Sequence, residues 1–225
     1  GEQVPFHSVT LSAMADATIA ALLSLASQEL RQPTGVVRGY LRTLDQDPTL
    51  TQRVRKISGE ATRAADRLVE LLDEIGELAK LKEDAVRLNL KAMSLRSVMN
   101  QAVQAVVLPA SHDVELDVVA PIDVRMRVDE GRLRTAVGTL IYVLARAQTG
   151  AATIDLRLIR TKVSSSILVT PRTLGRGKIV DQPIDLTRGG NGLLLPIADA
   201  IIQAHGGRLR ERWVAGRWSG FVVKL

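Results

Sequence analysis

The polar residues of one helical segment are the first candidates for chemistry. Residues 27–33 read Ser-Gln-Glu-Leu-Arg-Gln-Pro. The amide nitrogen of Gln28 is not a nucleophile, because its lone pair is delocalised into the carbonyl group. Ser27 has a hydroxyl, but no neighbouring residue is an evident base that would activate it. A serine bonded back to a helix carbonyl is therefore the favoured interpretation of Ser27.

Histidines and glycines elsewhere are the remaining candidates. His7, His112 and His205 are far apart in sequence and lack carboxylate or cysteine companions at ligand spacing, so no metal site is predicted. His205 precedes a pair of glycines and is most simply a residue at a helix end. Gly190 and Gly192 could cradle a phosphate at the start of the following helix, although Gly-x-Gly alone is weak evidence.

The composition is that of a folded chain without cysteine. The 225 residues are 46% hydrophobic with a mean hydropathy of +0.09, which predicts a well-filled core. The lack of cysteine excludes disulfides and a thiol nucleophile, and together with the lack of a signal-peptide pattern it favours a cytoplasmic setting. No apolar run reaches the length of a membrane span, so we expect no membrane contact within this chain. Any anchor would belong to a longer protein.

The net charge of +6 raises the question of a nucleic-acid partner. The basic residues are scattered among acidic ones, and two Tyr, two Phe and two Trp provide no aromatic platform for stacking bases. We therefore predict no specific nucleic-acid binding. A positive surface that attracts an acidic partner is the favoured interpretation, and a generic solvated surface is the competing interpretation for most of these charges.

The first 84 residues have the pattern of two long helices. From Thr51 to Asp84, apolar residues advance by alternating steps of three and four, which predicts a heptad seam. The segment from Val9 to Leu44 has a broad apolar stripe, and Pro33 is expected to kink or loosen that helix. A turn at residues 45–49 would join them into an antiparallel hairpin. Because one hairpin cannot bury both stripes, a homodimer forming a four-helix bundle is expected.

The rest of the chain alternates between short strands and helices. Strands are predicted at 86–90, 114–118, 124–128, 153–158, 163–169, 208–214 and 220–225, and helices at 95–107, 129–147 and 193–204. Asp129 is a predicted N-cap, and Pro171 to Gly190 is a predicted loop. Helices packed on one mixed sheet give an α/β sandwich, so the fold class of the whole chain is α+β.

Several segments resemble bacterial sensor histidine kinases. Residues 27–33 resemble the family's phosphoacceptor box, Ser-His-Glu-Leu-Arg-Thr-Pro, with Gln28 at the position of the essential histidine. Residues 129–134 resemble the start of its N-box helix, and residues 190–208 resemble its second glycine box. The resemblance implies a dimerisation and phosphotransfer hairpin over residues 1–83. It implies a Bergerat-type ATP-binding domain over residues 84–225.

The same comparison shows departures from the family pattern. Val143 stands where the family has the Asn that binds Mg²⁺, and Thr139 stands at an earlier Asn. Residues 170–175 lack the Asp-x-Gly-x-Gly motif that binds adenine, and Leu194 replaces the third glycine of the second box. The resemblance thus implies that Thr139, Val143, Gly190 and Gly192 are relics. We therefore expect ATP and Mg²⁺ binding to be lost, with no cofactor.

Three functional hypotheses follow from the resemblance. The favoured one is a degenerate kinase that acts as a dimeric scaffold and docks a response-regulator receiver domain or another histidine kinase. The alternative is a phosphatase toward a phosphorylated receiver, because Glu29 and Gln32 match the acidic residue and water-orienting carboxamide of family phosphatases. Two solvated helix residues are the competing interpretation of that pair. An active ATP-dependent histidine kinase is the least favoured hypothesis.

Overall fold

The computed structural model of the chain describes residues 6–82, 87–108, 113–173, 177–188 and 192–225, with side chains from Thr18 onward. The chain divides into two compact units, residues 1–86 and 87–225. The predicted domain boundary after residue 83 lies outside the described residues. No helix in the described part of the chain is long and apolar enough to cross a membrane.

The first unit is a hairpin of two long helices, α1 (Phe6–Asp45) and α2 (Gln52–Lys82). In the turn between them, the Asp47 carboxylate accepts hydrogen bonds from the Thr49 amide and hydroxyl at 2.8 and 2.7 Å. Thr51 caps α2 by accepting from the Val54 amide at 3.4 Å. Helix α1 continues through Pro33, where the sequence predicted a kink.

Small side chains form much of the contact between α1 and α2. A Cβ atom added to Gly76 of α2 would lie 3.2 Å from the Ser27 hydroxyl of α1, so the two backbones approach closely there. The ion pair between the exposed side chains of Arg31 and Asp73 (2.7 Å) adds little stability because both are solvated. The buried residues of the hairpin are Ala20, Ser27, Ser58, Ala65, Leu72, Gly76, Ala79 and Leu81.

In its described residues, the second unit contains a six-stranded mixed sheet, three helices and a separate pair of strands. Its elements are β1 (Lys91–Ser94), α3 (Leu95–Ala105), β2 (Val114–Val119), β3 (Arg125–Val128), α4 (Glu130–Arg146), β4 (Ala152–Arg160), β5 (Ser165–Pro171), β6 (Ile179–Pro183), α5 (Leu194–Ala204), β7 (Arg208–Val214) and β8 (Arg217–Lys224). The large sheet has the order β2-β4-β5-β8-β7-β6, in which β2 and β4 are parallel and the other neighbours antiparallel.

The core lies between the apolar face of this sheet and the helices. Alternate residues of the central strands are almost fully buried, and α4 packs between α3 and α5 with its inner side chains equally buried. The largest of these buried side chains are Leu133, Leu140, Ile141, Leu144, Ile154, Leu156, Ile167 and Phe221. The predicted fold class, a helical hairpin followed by an α/β sandwich, is confirmed.

The start of the second unit differs from the sequence prediction. A strand was expected over Val86 to Leu90, but residues 87–90 form no strand, and β1 follows them at Lys91–Ser94. β1 pairs with β3, apart from the large sheet, so the second unit has two sheets where one was predicted. Alternation over a few residues does not fix the pairing partner, which explains the error.

The segment predicted as a loop, Pro171 to Gly190, contains β6, which pairs with β7. After β6, the Arg188 guanidinium forms two contacts with the Glu211 carboxylate, at 2.5 and 3.1 Å. It also lies 5.7 and 4.6 Å from the ring centres of Trp213 and Trp218. Glu211 is only 2% exposed. A buried ion pair with cation–π contacts therefore fixes this segment to the sheet.

Replacing Arg188 with Gln should destabilise the second unit by about 3 kcal/mol, because Glu211 would remain buried without a counter-ion. The measurement is urea denaturation followed by tryptophan fluorescence, since the two tryptophans of the chain both adjoin Arg188. Arg208→Gln is the matched control, since this exposed residue forms no ion pair within the described part of the chain. Equal losses in both variants would contradict the assignment.

Candidate functional site

The four polar residues singled out on α1 divide between two environments. Gln28, Glu29 and Gln32 are exposed, whereas Ser27 faces α2 and is 4% exposed. The Ser27 hydroxyl donates to the Ser24 carbonyl at 3.0 Å, which is the interaction predicted for it. The surface around residue 28 therefore presents amides and a carboxylate without an activated hydroxyl.

Leu25 and Val36 are exposed on other sides of α1, but six further large apolar side chains lie opposite Gln28. At 100° per residue, they lie within about 60° of one line along the helix, and Gln28 lies about 180° from that line. Their exposed fractions range from 44% at Leu44 to 71% at Tyr40. We call this set the apolar face of α1; it consists of Ile19, Leu22, Leu30, Val37, Tyr40 and Leu44.

The two positions carried over from the N-box lie on α4 in different surroundings. Val143 is 4% exposed and is part of the core. Thr139 lines a cavity of about 420 Å³, here called the first cavity, which is also lined by residues from the end of α3 and by Leu194 at the start of α5. Thr139 is thus the one of these two side chains that can offer an oxygen to a ligand.

A second cavity of about 660 Å³ lies between the end of α4, the end of β5 and the turn between β7 and β8. Leu144, Ala147 and Trp218 contribute apolar walls, and Thr173 and Ser219 contribute hydroxyl groups. Residues 170–175, the segment that stands in place of the first glycine box, supply part of this wall. Gly175 lies outside the described residues.

The turn before α5 retains one feature of a glycine box. Gly192 has φ = +111°, in the left-handed region where other residues are strained. α5 begins at Leu194, after the N-cap residue Leu193, whose apolar side chain accepts no capping hydrogen bond. Gly190 lies outside the described residues.

A contact between His205 and Asp129 was missed by the sequence analysis. The Asp129 amide donates to Nε2 of His205 at 3.0 Å, and Nδ1 of His205 lies 2.7 Å from the Ile201 carbonyl oxygen. Since that carbonyl can only accept, Nδ1 carries the proton. The imidazole therefore joins the end of α5 to the start of α4. The two residues are 76 positions apart, so no local pattern could reveal the contact.

Asp129 also caps α4, as predicted from the sequence. Its carboxylate accepts from the Arg132 amide at 3.1 Å and from the Asn89 amide at 3.0 Å. Burial raises the pKa of the Asp129 carboxyl group, but these amide hydrogen bonds and the charge of Arg132 outweigh burial, so the pKa is below its ordinary value. The carboxylate form therefore stabilises the start of the helix that carries Thr139.

The hairpin is similar to a known domain family. Residues 19–84 match the His Kinase A (phospho-acceptor) domain family. The chain is related to the sensor histidine kinases of two-component signalling.

Two curated relatives illustrate this relationship. The sensor-like histidine kinase SenX3 of Mycolicibacterium smegmatis is 28% identical over 230 residues, covering 93% of this chain and 58% of that protein. The phosphate regulon sensor protein PhoR of Pseudomonas aeruginosa is 28% identical over 212 residues, covering 87% of this chain and 47% of that protein. The chain spans about half the length of the curated relatives it matches.

A solved structure shows the same fold. The crystal structure of full-length ShkA in complex with AMPPNP aligns with a TM-score of 0.66 and 19% identity, covering 91% of this chain and 45% of that one. At this identity the likeness establishes the fold.

The prediction that ATP and Mg²⁺ binding is lost, leaving no cofactor, is contradicted by these comparisons. The relatives are named histidine kinases and sensor proteins, and the structure with the same fold was solved with AMPPNP. The departures at Val143 and residues 170–175 are real differences in sequence, but they do not show that nucleotide binding is lost. The prediction failed because it inferred the state of a site from motif residues alone.

Replacing His205 with Ala should destabilise the second unit by roughly 1–3 kcal/mol, because the partly buried Asp129 amide loses its acceptor. Urea denaturation measures the loss, and hydrogen exchange at the Asp129 amide should become faster. Gln104→Ala, at an exposed position of α3, is the control. Unchanged exchange at Asp129 in the His205 variant would show that the contact does not protect it.

Proposed function

We propose that this chain is a dimeric docking module in two-component signalling that carries no phosphate at position 28. Its hairpin would pair with a second copy and present the surface around Gln28 to a response-regulator receiver domain or to a partner kinase. The observation that carries the proposal is the placement of Gln28 opposite the apolar face of α1.

The apolar face supports the homodimer. Six large apolar side chains on one helix face are at least 44% exposed in the single chain, which is unfavourable in water. A second hairpin packed against them would complete a four-helix bundle. Because Gln28 and Gln32 point away from this face, dimerisation leaves both accessible to a partner.

The residue at position 28 supports docking without phosphotransfer. The matched domain family is described as phospho-acceptor, and accepting a phosphoryl group requires a nucleophile. The Gln28 amide is not one, and Ser27 next to it is buried and bonded to a carbonyl. Docking requires only a complementary surface, so it can persist without transfer chemistry.

For the second unit we propose nucleotide binding at the second cavity. Its apolar walls, including Leu144 and Trp218, would contact the base, and Thr173 and Ser219 would offer hydroxyl groups. Thr139, the oxygen-bearing side chain of the two N-box positions, lines the first cavity and is not part of this lining. Support comes from the likeness in fold to a structure solved with AMPPNP. A bound nucleotide would stabilise this unit in proportion to its occupancy.

The proposal predicts that the purified chain incorporates no phosphate from radiolabelled ATP, because position 28 supplies no nucleophile. Phosphate incorporation is measured on denaturing gels with Gln28→His alongside, and a thermal shift with Mg-AMPPNP tests nucleotide binding independently. Robust labelling of the unaltered chain would defeat the proposal and favour an active kinase.

The phosphatase alternative draws support from Glu29 and Gln32, which are both exposed and lie about one helical turn apart. If they position water, the chain should shorten the half-life of a phosphorylated receiver domain, and Gln32→Ala should slow that decay at least tenfold. Gln46→Ala, exposed in the turn after α1, is the control. A half-life unchanged by the unaltered chain would eliminate this alternative.

A further inference from the structure

The turn between β4 and β5 carries apolar side chains that stand in water. Val163 is 93% exposed, and Ile159, the last residue but one of β4, is 44% exposed. The turn is ordered, because the Thr161 amide donates to the Ser164 carbonyl at 2.8 Å and the Ser164 amide donates to the Thr161 hydroxyl at 3.1 Å. Val163 is therefore held at the tip of the turn, away from the core.

Two cations adjoin the tip in sequence. Arg160 and Lys162 are both exposed, and neither side chain has an ion-pair or hydrogen-bond partner among the residues that the structure describes. No acidic residue occurs in the whole hairpin segment from 156 to 169. The tip thus combines exposed apolar groups with positive charge that has no local counter-ion.

Two further cations come from the neighbouring strands. Ser166 of β5 pairs with Ile159 on one side and with Lys224 on the other, and Lys224 pairs in turn with Arg208. Directly paired residues point to the same face of a sheet, so Lys224 and Arg208 lie in one row with Ile159. Both cations are exposed and form no ion pair within the described ranges. We call this set the basic end of the sheet; it consists of Ile159, Arg160, Lys162, Val163, Arg208 and Lys224.

The arginines at the other end of the same sheet face are neutralised. Arg157 and Arg172 both contact the buried Asp155 carboxylate, at 2.7 and 2.9 Å, and Arg172 also contacts Asp117. The carboxylates of β2 and β4 therefore leave the basic end charged. The second cavity lies at the end of β5, whereas the basic end lies at the start of β5 and of β7, so the two surfaces are at opposite ends of the sheet.

We propose that the basic end of the sheet is a contact surface for anionic phospholipid bilayers. Lysine and arginine side chains are attracted to the negative headgroups, and exposed aliphatic side chains are accommodated at the boundary with the acyl chains. The expectation of no membrane contact rests on the lack of a spanning segment, which a peripheral contact does not need. The inference does not depend on the proposed docking function.

Two other polyanions match the charge of the basic end but not its apolar tip. A nucleic acid would bring phosphates against Val163, and the chain has few aromatic side chains on which bases could stack. An acidic protein surface accounts for the cations but gives no reason for Val163 and Ile159 to be exposed among them. A bilayer accounts for both features.

The first test is sedimentation of the full chain with vesicles of phosphatidylcholine, alone or mixed equally with phosphatidylglycerol. The chain should bind only the mixed vesicles, and less as salt is raised, because salt screens the headgroup charge. Arg160→Gln combined with Lys162→Gln should lower the partition coefficient roughly twentyfold, at about fivefold for each cation. Arg53→Gln combined with Lys56→Gln removes the same charge from the exposed start of α2 and should leave binding nearly unchanged.

The second test concerns the apolar tip. Val163→Ser keeps the net charge and should lower the partition coefficient about threefold, because an aliphatic side chain no longer enters the bilayer. Val107→Ser is the matched control, since Val107 follows α3 and is 84% exposed. The chain has no cysteine, so Val163→Cys can be labelled uniquely with an environment-sensitive dye. Its emission should shift to the blue on mixed vesicles, whereas a dye on Val107→Cys should not respond.

Several results would overturn the proposal. Equal losses in the two charge variants would show that net charge alone attracts the chain to vesicles. Unchanged emission of the dye at position 163 would show that the tip does not enter the bilayer. No binding to mixed vesicles, together with binding of polyglutamate or duplex DNA that is lost in the Arg160 and Lys162 variant, would assign the basic end to an acidic protein or a nucleic acid. All altered side chains are exposed, so unfolding midpoints should stay unchanged and distinguish lost contact from lost folding.

Discussion

The hairpin buries small side chains between its own helices and leaves large ones outside. Ser27 and Gly76 meet where α1 and α2 cross closely, and such contacts remove little apolar surface from water. The apolar face of α1 is left without a cover in one chain. The functional interpretation depends on this imbalance. Burying the apolar face of α1 requires further apolar surface to pack against it. The side of α1 that carries Gln28 then remains exposed.

The second unit buries the apolar surface of its central helix and sheet internally. Helix α4 is enclosed by α3, α5 and the sheet, and even its position 143 contributes a buried valine to the core. Its buried charge is also satisfied, because Glu211 meets Arg188, the indole of Trp213 and the amide of Asp185. A unit with these properties can hold its cavities open without help from a partner.

Regular periodicity made the long elements predictable. The heptad pattern indicated α2, and the capping carboxylate of Asp129 indicated the start of α4, because both signals are local in sequence. β6 was missed because its pairing with β7 depends on residues about thirty positions away. The same limit hid the contact between His205 and Asp129.

The error about the cofactor has a different origin. Motif residues such as Val143 report on individual contacts, whereas a cavity is a property of several segments packed together. The second cavity is bounded by α4, β5 and the β7–β8 turn, and most of its lining lies outside the motifs. Moreover, the acceptor position and the cavity lie in separate compact units. The absence of a nucleophile at Gln28 therefore carries no information about the second unit. Phosphoryl acceptance and nucleotide binding have to be judged separately. A chain can lack the atom that accepts a phosphoryl group and still possess a site for the molecule that would donate it.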